Sequence, residues 1–291
     1  AITRRIWVPG LAEGYVPQGL TVVDGALYLA AYKSRSKAQS RGPCRIFRLS
    51  PETGAVTGTL DMPSSCGHAG GLARGPKGVL FVADTRTLYV VRLEAAGAAA
   101  IGRVTQTIRL TGRLKGSFAT GTGDAVWLGT YSKDGPARIY SFPASGLPNE
   151  IDERAATRSL PLPERSQGAA FDKAGRLWVS QSSSRFGKLS ILDGRSGKVL
   201  KTYATASGVE DLSFDAAGRL WTVSEAGAIR AGMAPVLSGA LSARRRQTEV
   251  AARSIMSRHP SGSPRLVRRH VPPPPRLACR ITRELAWRRS A

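Results

Sequence analysis

Apolar and polar positions alternate with a period of two along most of this chain, in short runs cut by glycine and small polar residues. Ser166 to Tyr203 shows the pattern most clearly, as QGAAFD, RLWVSQ, KLSILD and KVLKTY. The breaks between them are Ala174-Gly175, Ser182-Ser183-Ser184 and Gly194-Arg195-Ser196-Gly197. Runs this short, rich in β-branched and aromatic residues and bounded by turn formers, predict four antiparallel strands in a meander. One meander has two bare faces and buries no core alone, so copies of it are expected.

The copies are present. The first strand pair recurs as Gln18-Gly19-Leu20-Thr21 with Leu27–Ala30, Gly70-Gly71-Leu72-Ala73 with Leu80–Ala83, and Ser117-Phe118-Ala119-Thr120 with Val126–Gly129. It recurs again as Gln167-Gly168-Ala169-Ala170 with Leu177–Ser180, and as Glu210-Asp211-Leu212-Ser213 with Leu220–Val223. The five starting positions are 52, 47, 50 and 43 residues apart, close to the roughly 40–50 residues of a propeller blade. Third strands are expected at Arg45–Leu49, Leu88–Leu93, Arg138–Phe142 and Lys188–Leu192, and fourth strands at Val56–Met62, Val104–Leu110, Arg158–Leu162 and Val199–Tyr203. The longer Pro143–Thr157 connection reads as a polar surface loop. The fold class is therefore all-β: a five-bladed β-propeller of four-stranded antiparallel blades, or six-bladed if the tail adds strands. The fifth copy lacks its outer strands. Residues 4–9, which precede the first copy, supply an outer strand and close the ring, leaving no long free edge.

After Gly227 the alternation stops. Residues 1–227 form the expected propeller domain and 228–291 a tail rich in Arg, Pro and Ala. The tail holds 14 Arg, no Lys, two acids and the run Pro272–Pro275, and so carries about half of the formal charge of +23. Charge without patterned apolar residues does not offset chain entropy. The tail is expected to be disordered or weakly helical around Leu237–Ile255, or to be a shifted reading frame replacing a native last strand. Its Arg clusters have no interleaved aromatic platform, so no specific nucleic-acid partner is expected. No apolar run is long enough for a membrane span, and the chain is expected to be a monomer. It starts at Ala1, as a chain trimmed after export would.

Val16-Pro17-Gln18-Gly19-Leu20 with Leu27-Tyr28-Leu29, and Leu189-Ser190-Ile191-Leu192-Asp193 with Gly197-Lys198-Val199-Leu200, resemble the YncE-like/YVTN and NHL-type propellers. They are also similar to the SMP-30/strictosidine-synthase-like group. The resemblance covers about residues 4–226 and rests on architectural motifs, which specify a fold better than an activity. It implies a bacterial propeller, secreted or periplasmic, in a group that runs from binding modules to lactonases and other hydrolases. Pro17-Gln18-Gly19-Leu20 also resembles a phrase of the five-bladed glutaminyl cyclases, which are acyltransferases; their other acidic motifs are not matched.

In propellers the ligand site lies at one mouth of the central channel, where first strands begin. Here that ring would hold Gln18, His68, Ser117, Gln167, Glu210 and Asp211 as ligand-binding candidates. Antiparallel pairing returns the second-strand ends, Asp84-Thr85, Thr130-Tyr131, Gln181-Ser182 and Ser224-Glu225, to the same face. His68, in a glycine-flanked loop, could act as a general base near neutrality, with Asp84 as its orienting carboxylate and Glu210 as the other catalytic candidate. The calcium-dependent lactonases that the fold resembles gather several carboxylates around one ion. Only Glu210 and Asp211 are offered here, adjacent and so on opposite sides of a strand, against the roughly six to eight oxygens calcium takes. No cofactor is therefore expected beyond a calcium ion as an open alternative. Trp127, Trp178 and Trp221 recur at one position and read as filling between sheets.

Cys44 opens a third strand and faces about residue 61 across the hairpin; Cys66 lies just beyond. A folded-back loop would pair them as a disulfide bracing the His68 loop, which suits an oxidising compartment. The partner expected at the mouth is a small molecule, a glycan or a protein. Two alternatives stand beside binding: a metal-dependent, lactonase-like hydrolase and a glutaminyl-cyclase-like acyltransferase.

Overall fold

The computed structural model describes residues 2–36, 40–95, 98, 100–183, 185–226 and 228, together with the backbone of 237–241. Nearly all regular structure in them is β, in five sheets with a propeller-like arrangement. The first sheet runs Tyr15–Val23, Ala26–Lys33, Cys44–Leu49, Val56–Asp61 from inside to outside. The second has Gly71–Arg74, Val79–Asp84, Thr87–Leu93 and Gly102–Leu110; the third has Phe118–Gly121, Ala125–Gly129, Ala137–Pro143 and Arg158–Leu162. The fourth is Ser166–Phe171, Leu177–Ser183, Phe186–Leu192 and Val199–Thr205.

The first strand of each sheet packs against that of the next, and the fifth sheet's first strand, Val209–Phe214, packs against the first sheet's. The ring is closed. Apolar side chains fill the wedge between each successive pair of sheets: Tyr32 and Ile46 against Leu72 and Tyr89, Phe81 against Val126, Trp127 against Leu177, Ala170 against Leu212. The closing wedge joins Trp221 and Val223 to Leu27, Leu29 and Phe47, with Ile6 and Val8 from the N-terminus. Near the axis the strands approach so closely that a side chain has no room. A Cβ on Gly71 would overlap the backbone of Phe118 and Ala119 in the next sheet, which is the physical reason for glycine there.

Three expectations are corrected. The fifth sheet is not short of a third strand: Leu237–Leu241 pairs with both Leu220–Ser224 and Ile2–Ile6. The propeller thus reaches past 227 and takes a strand from the basic tail, and the N-terminal outer strand is Ile2–Ile6 rather than residues 4–9. Residues 242–291, with all three Arg clusters, lie outside the described residues. The connection from Pro143 to Thr157 is not a plain surface loop either. Its Glu150–Ile151 pairs in parallel with Arg109 and Leu110, adding a fifth strand to the second sheet. Among the described residues no helix is long and apolar enough to cross a membrane.

Candidate functional site

The first strands carry irregularities where they enter the mouth. Pairing slips between Pro17 and Leu20, between Ser166 and Gly168, and between Val209 and Leu212. An extra residue in one strand turns its side chain away from the regular alternation, and the residues in these three slips are Gln18 with Gly19, Gln167, and the Glu210–Asp211 pair. Together with Ser117 and His68, the side chains of Gln18, Gln167 and Glu210 line one cavity of about 460 Å³. Second-strand ends complete the wall with Thr85, Tyr131 and Glu225. Gln167 Nε2 lies 3.5 Å from Glu210 Oε1, and Ser117 Oγ accepts from the Tyr131 N–H at 3.0 Å.

His68 is placed by a loop that Asp84 organises. Asp84 is buried, and its Oδ1 accepts from the backbone N–H of His68 (2.7 Å) and Ala69 (3.0 Å), its Oδ2 from that of Gly67 (3.1 Å). Aiming three successive N–H groups at one carboxylate requires an unusual backbone, and Ala69 supplies it at φ 48°. Arg41 adds an ion pair to Asp84 at 3.3 Å. Asp84 therefore holds His68 through the main chain; the imidazole itself meets the Ser40 carbonyl at Nδ1, 3.0 Å away, and stacks on Tyr32. A carbonyl only accepts, so Nδ1 carries the proton and Nε2 keeps its lone pair. Burial lowers the His68 pKa below 6.5, against the Ser40 carbonyl and Asp84, which raise it. A disulfide joins Cys44 to Cys66, with Cα atoms 5.8 Å apart, and fixes the other end of this loop.

The two adjacent carboxylates part company. Glu210 faces the cavity, and burial, then the nearby Glu225 and Asp211, push its carboxyl well above 4.5. Burial likewise raises Glu225. Asp211 is absent from the cavity wall and fully buried. It accepts from Leu20 N–H at 2.9 Å and Leu72 N–H at 3.3 Å through Oδ2, and from Leu212 N–H at 2.9 Å through Oδ1. Burial raises its pKa, while these N–H groups and that of Ala169 pull it down. It ties the first strands of several sheets together beneath the mouth. Glu210 and Asp211 thus do not converge on one point, and N–H groups already face the Asp211 oxygens. The pair does not fit a calcium ion.

Ser40 and Arg41 also line the cavity and were not foreseen. They lie in an unpatterned connection between two strands, and nothing in the local sequence marks them as facing the mouth.

No protein-family model matches this sequence, and no curated protein matches it. Among solved structures, the chain is similar to the glutaminyl cyclase of Myxococcus xanthus, covering 82% of this chain and 94% of that one at 13% identity, with a TM-score of 0.56. It is also similar to the PQQ-bound aldose sugar dehydrogenase of Streptomyces coelicolor, over 77% of each chain at 16% identity, with a TM-score of 0.44. At such identities the likeness is one of fold, and that fold is a β-propeller.

Proposed function

We propose that this chain is an exported, monomeric five-bladed propeller, akin to the YncE-like and NHL-type group, that binds a small neutral polar molecule at one mouth. The observation that carries the reading is the convergence of Gln18, His68, Ser117, Gln167, Glu210 and Glu225 on a single cavity of about 460 Å³. Two amides, a hydroxyl and a carboxyl that burial pushes toward its protonated form offer donors and acceptors to a sugar or an amide. Arg41, the charged side chain of the wall, is already paired with Asp84, and burial disfavours charge on Glu210 and Glu225, so a charged ligand would be desolvated beside them at a cost. The Cys44–Cys66 disulfide supports an oxidising compartment, secreted or periplasmic.

A second reading, hydrolysis or acyl transfer, is favoured by one feature. His68 holds its proton at Nδ1 against the Ser40 carbonyl, leaving Nε2 as the basic atom, and burial favours the protonated form of Glu210, so one cavity would hold a general base and a general acid. His68 would take a proton from water or an amine, Glu210 would protonate the leaving atom, and Asp84 would position the loop. The Myxococcus xanthus glutaminyl cyclase shares the fold.

The test is a thermal-shift panel of neutral sugars, amides and lactones on the full chain and on Glu210→Gln. A ligand at roughly 100 times its Kd adds about 2.7 kcal/mol of stability. A shift shared by both proteins, without turnover, supports binding, because a carboxamide keeps the hydrogen bonds but donates no acid proton. Turnover in the native chain that Glu210→Gln abolishes moves the assignment to the enzyme. No shift and no turnover with any neutral compound contradict both.

A further inference from the structure

A second cavity, of about 420 Å³, opens among the turns at the opposite ends of the strands, between the third and fourth sheets. Its origin is visible by comparing three copies of one motif. In the fourth sheet, Asp172-Lys173-Ala174-Gly175-Arg176-Leu177-Trp178 closes a turn in which Asp172 Oδ2 accepts from the Trp178 indole N–H at 2.9 Å and from Arg176 Nε at 2.8 Å. The fifth sheet repeats it: Asp215 Oδ2 accepts from Trp221 Nε1 at 3.1 Å and from Arg219 Nε at 2.6 Å. In the third sheet the tryptophan is kept as Trp127, but Gly121 stands six residues before it and Ala125 replaces the arginine. The carboxylate is missing.

Trp127 is 3% exposed, and among the described residues its Nε1 has no hydrogen-bond partner. A buried indole N–H left unpaired loses its hydration without compensation. No aspartate can be restored from within, because a Cβ on Gly121 would overlap the Arg74 carbonyl of the neighbouring sheet. Trp127 forms part of the cavity wall, with Phe171, Arg158 and Arg195 beside it. The Arg158 guanidinium sits 5.4 Å from the Trp127 ring centroid, and Phe171 packs at 5.2 Å. Arg158 makes no ion pair among the described residues and donates to the Gly194 carbonyl at 3.1 Å, whereas Arg195 is near enough to Asp193, also in the wall, to help lower that carboxyl's pKa. An unsatisfied buried donor, the Arg158 guanidinium and aromatic walls thus meet where the sister motifs hold an internal carboxylate.

We propose that this cavity binds a small organic carboxylate, whose oxygen accepts the Trp127 indole N–H as Asp172 and Asp215 do for their tryptophans. Arg158 supplies the counter-charge, and Phe171 and the Trp127 ring receive the apolar body. The site is separate from the mouth cavity and does not depend on its function.

Titrating the full, ¹⁵N-labelled chain with benzoate, and with benzamide as the neutral isostere, tests this through the indole N–H resonances. The signal that vanishes in Trp127→Phe should shift saturably with benzoate, with a Kd on the order of 1 mM or below. Benzamide should bind at least roughly tenfold more weakly, and Arg158→Gln should weaken benzoate by roughly tenfold, as expected for a charge-assisted contact. Arg158 is exposed, so that variant probes the site without disturbing the core if Trp127→Phe folds poorly. A Trp127 signal that ignores benzoate overturns the proposal. So does an equal response to benzamide, an Arg158→Gln protein that binds as well as the native chain, or Trp178 and Trp221 signals moving in step with Trp127.

Discussion

Glu210 and Asp211 are consecutive carboxylates, both buried, in two different regions. One belongs to the wall of the mouth cavity; the other sits in the backbone hub below it. Asp211 has its oxygens matched by N–H groups from Leu20, Leu72 and Leu212, so its role is to hold strands of several sheets in place. Glu210 is left with a long side-chain contact to Gln167 at 3.5 Å and with like charge from Glu225 and Asp211 nearby. A carboxylate that is fully hydrogen-bonded is architecture; one kept dry and short of partners is available for chemistry or for a ligand.

The largest effect that would break this contrast is on stability. Asp211→Ala should lose about 4 kcal/mol in chemical denaturation, because it strands several buried N–H groups at 1–3 kcal/mol each. An Asp211→Ala protein of native stability that had lost only ligand binding would move Asp211 into the site. Next is the loop that carries His68. Cys44→Ser should cost about 3 kcal/mol, as expected for a disulfide closing a loop of 22 residues, and should weaken any mouth ligand, whereas a surface cysteine pair would leave binding intact.

The smallest effect is the pH slope. Glu210 and Glu225 have folded pKa values above 4.5, so the folded chain holds protons that the unfolded chain has released. Stability contributed by these groups is therefore full below 4.5 and lost as pH rises through the raised values. His68 acts oppositely: lowered from 6.5, it takes stability away as pH falls below 6.5, where the unfolded imidazole gains a proton first. Glu210→Gln should flatten the alkaline-side decline in denaturation midpoint measured across pH, and an unchanged slope would show that Glu210 is ionised in the fold.

Much of the fold was legible because a strand's alternation is local: Leu177–Ser183 and Phe186–Leu192 announce themselves in a few residues. What stayed hidden depends on distant partners. Leu237–Leu241 is a small-residue stretch in a basic context, recognisable as a strand only beside Ile2–Ile6 and Leu220–Ser224. Glu150–Ile151 is two residues long and exists as a strand only through its neighbour sheet. At the mouth, periodicity placed Gln18, Gln167 and Glu210 at the right depth, but the slips that turn them inward and Asp211 downward are register events between strands. Asp84 lies beside the His68 loop, and its bonds to main-chain N–H groups require the Ala69 conformation, which composition does not encode. The Trp127 difference was readable in principle, since Gly121 interrupts a motif that the fourth and fifth sheets share.

The most direct test of the account is a ¹³C-carboxyl NMR titration of Glu210 in the native chain, assigned with Glu210→Gln. The account predicts that the side-chain carboxyl stays protonated well above 4.5, the ordinary value for glutamate. A carboxyl that titrates at or below 4.5 would mean an anionic Glu210 in the cavity wall, and would contradict both the neutral-ligand site and the acid role of Glu210.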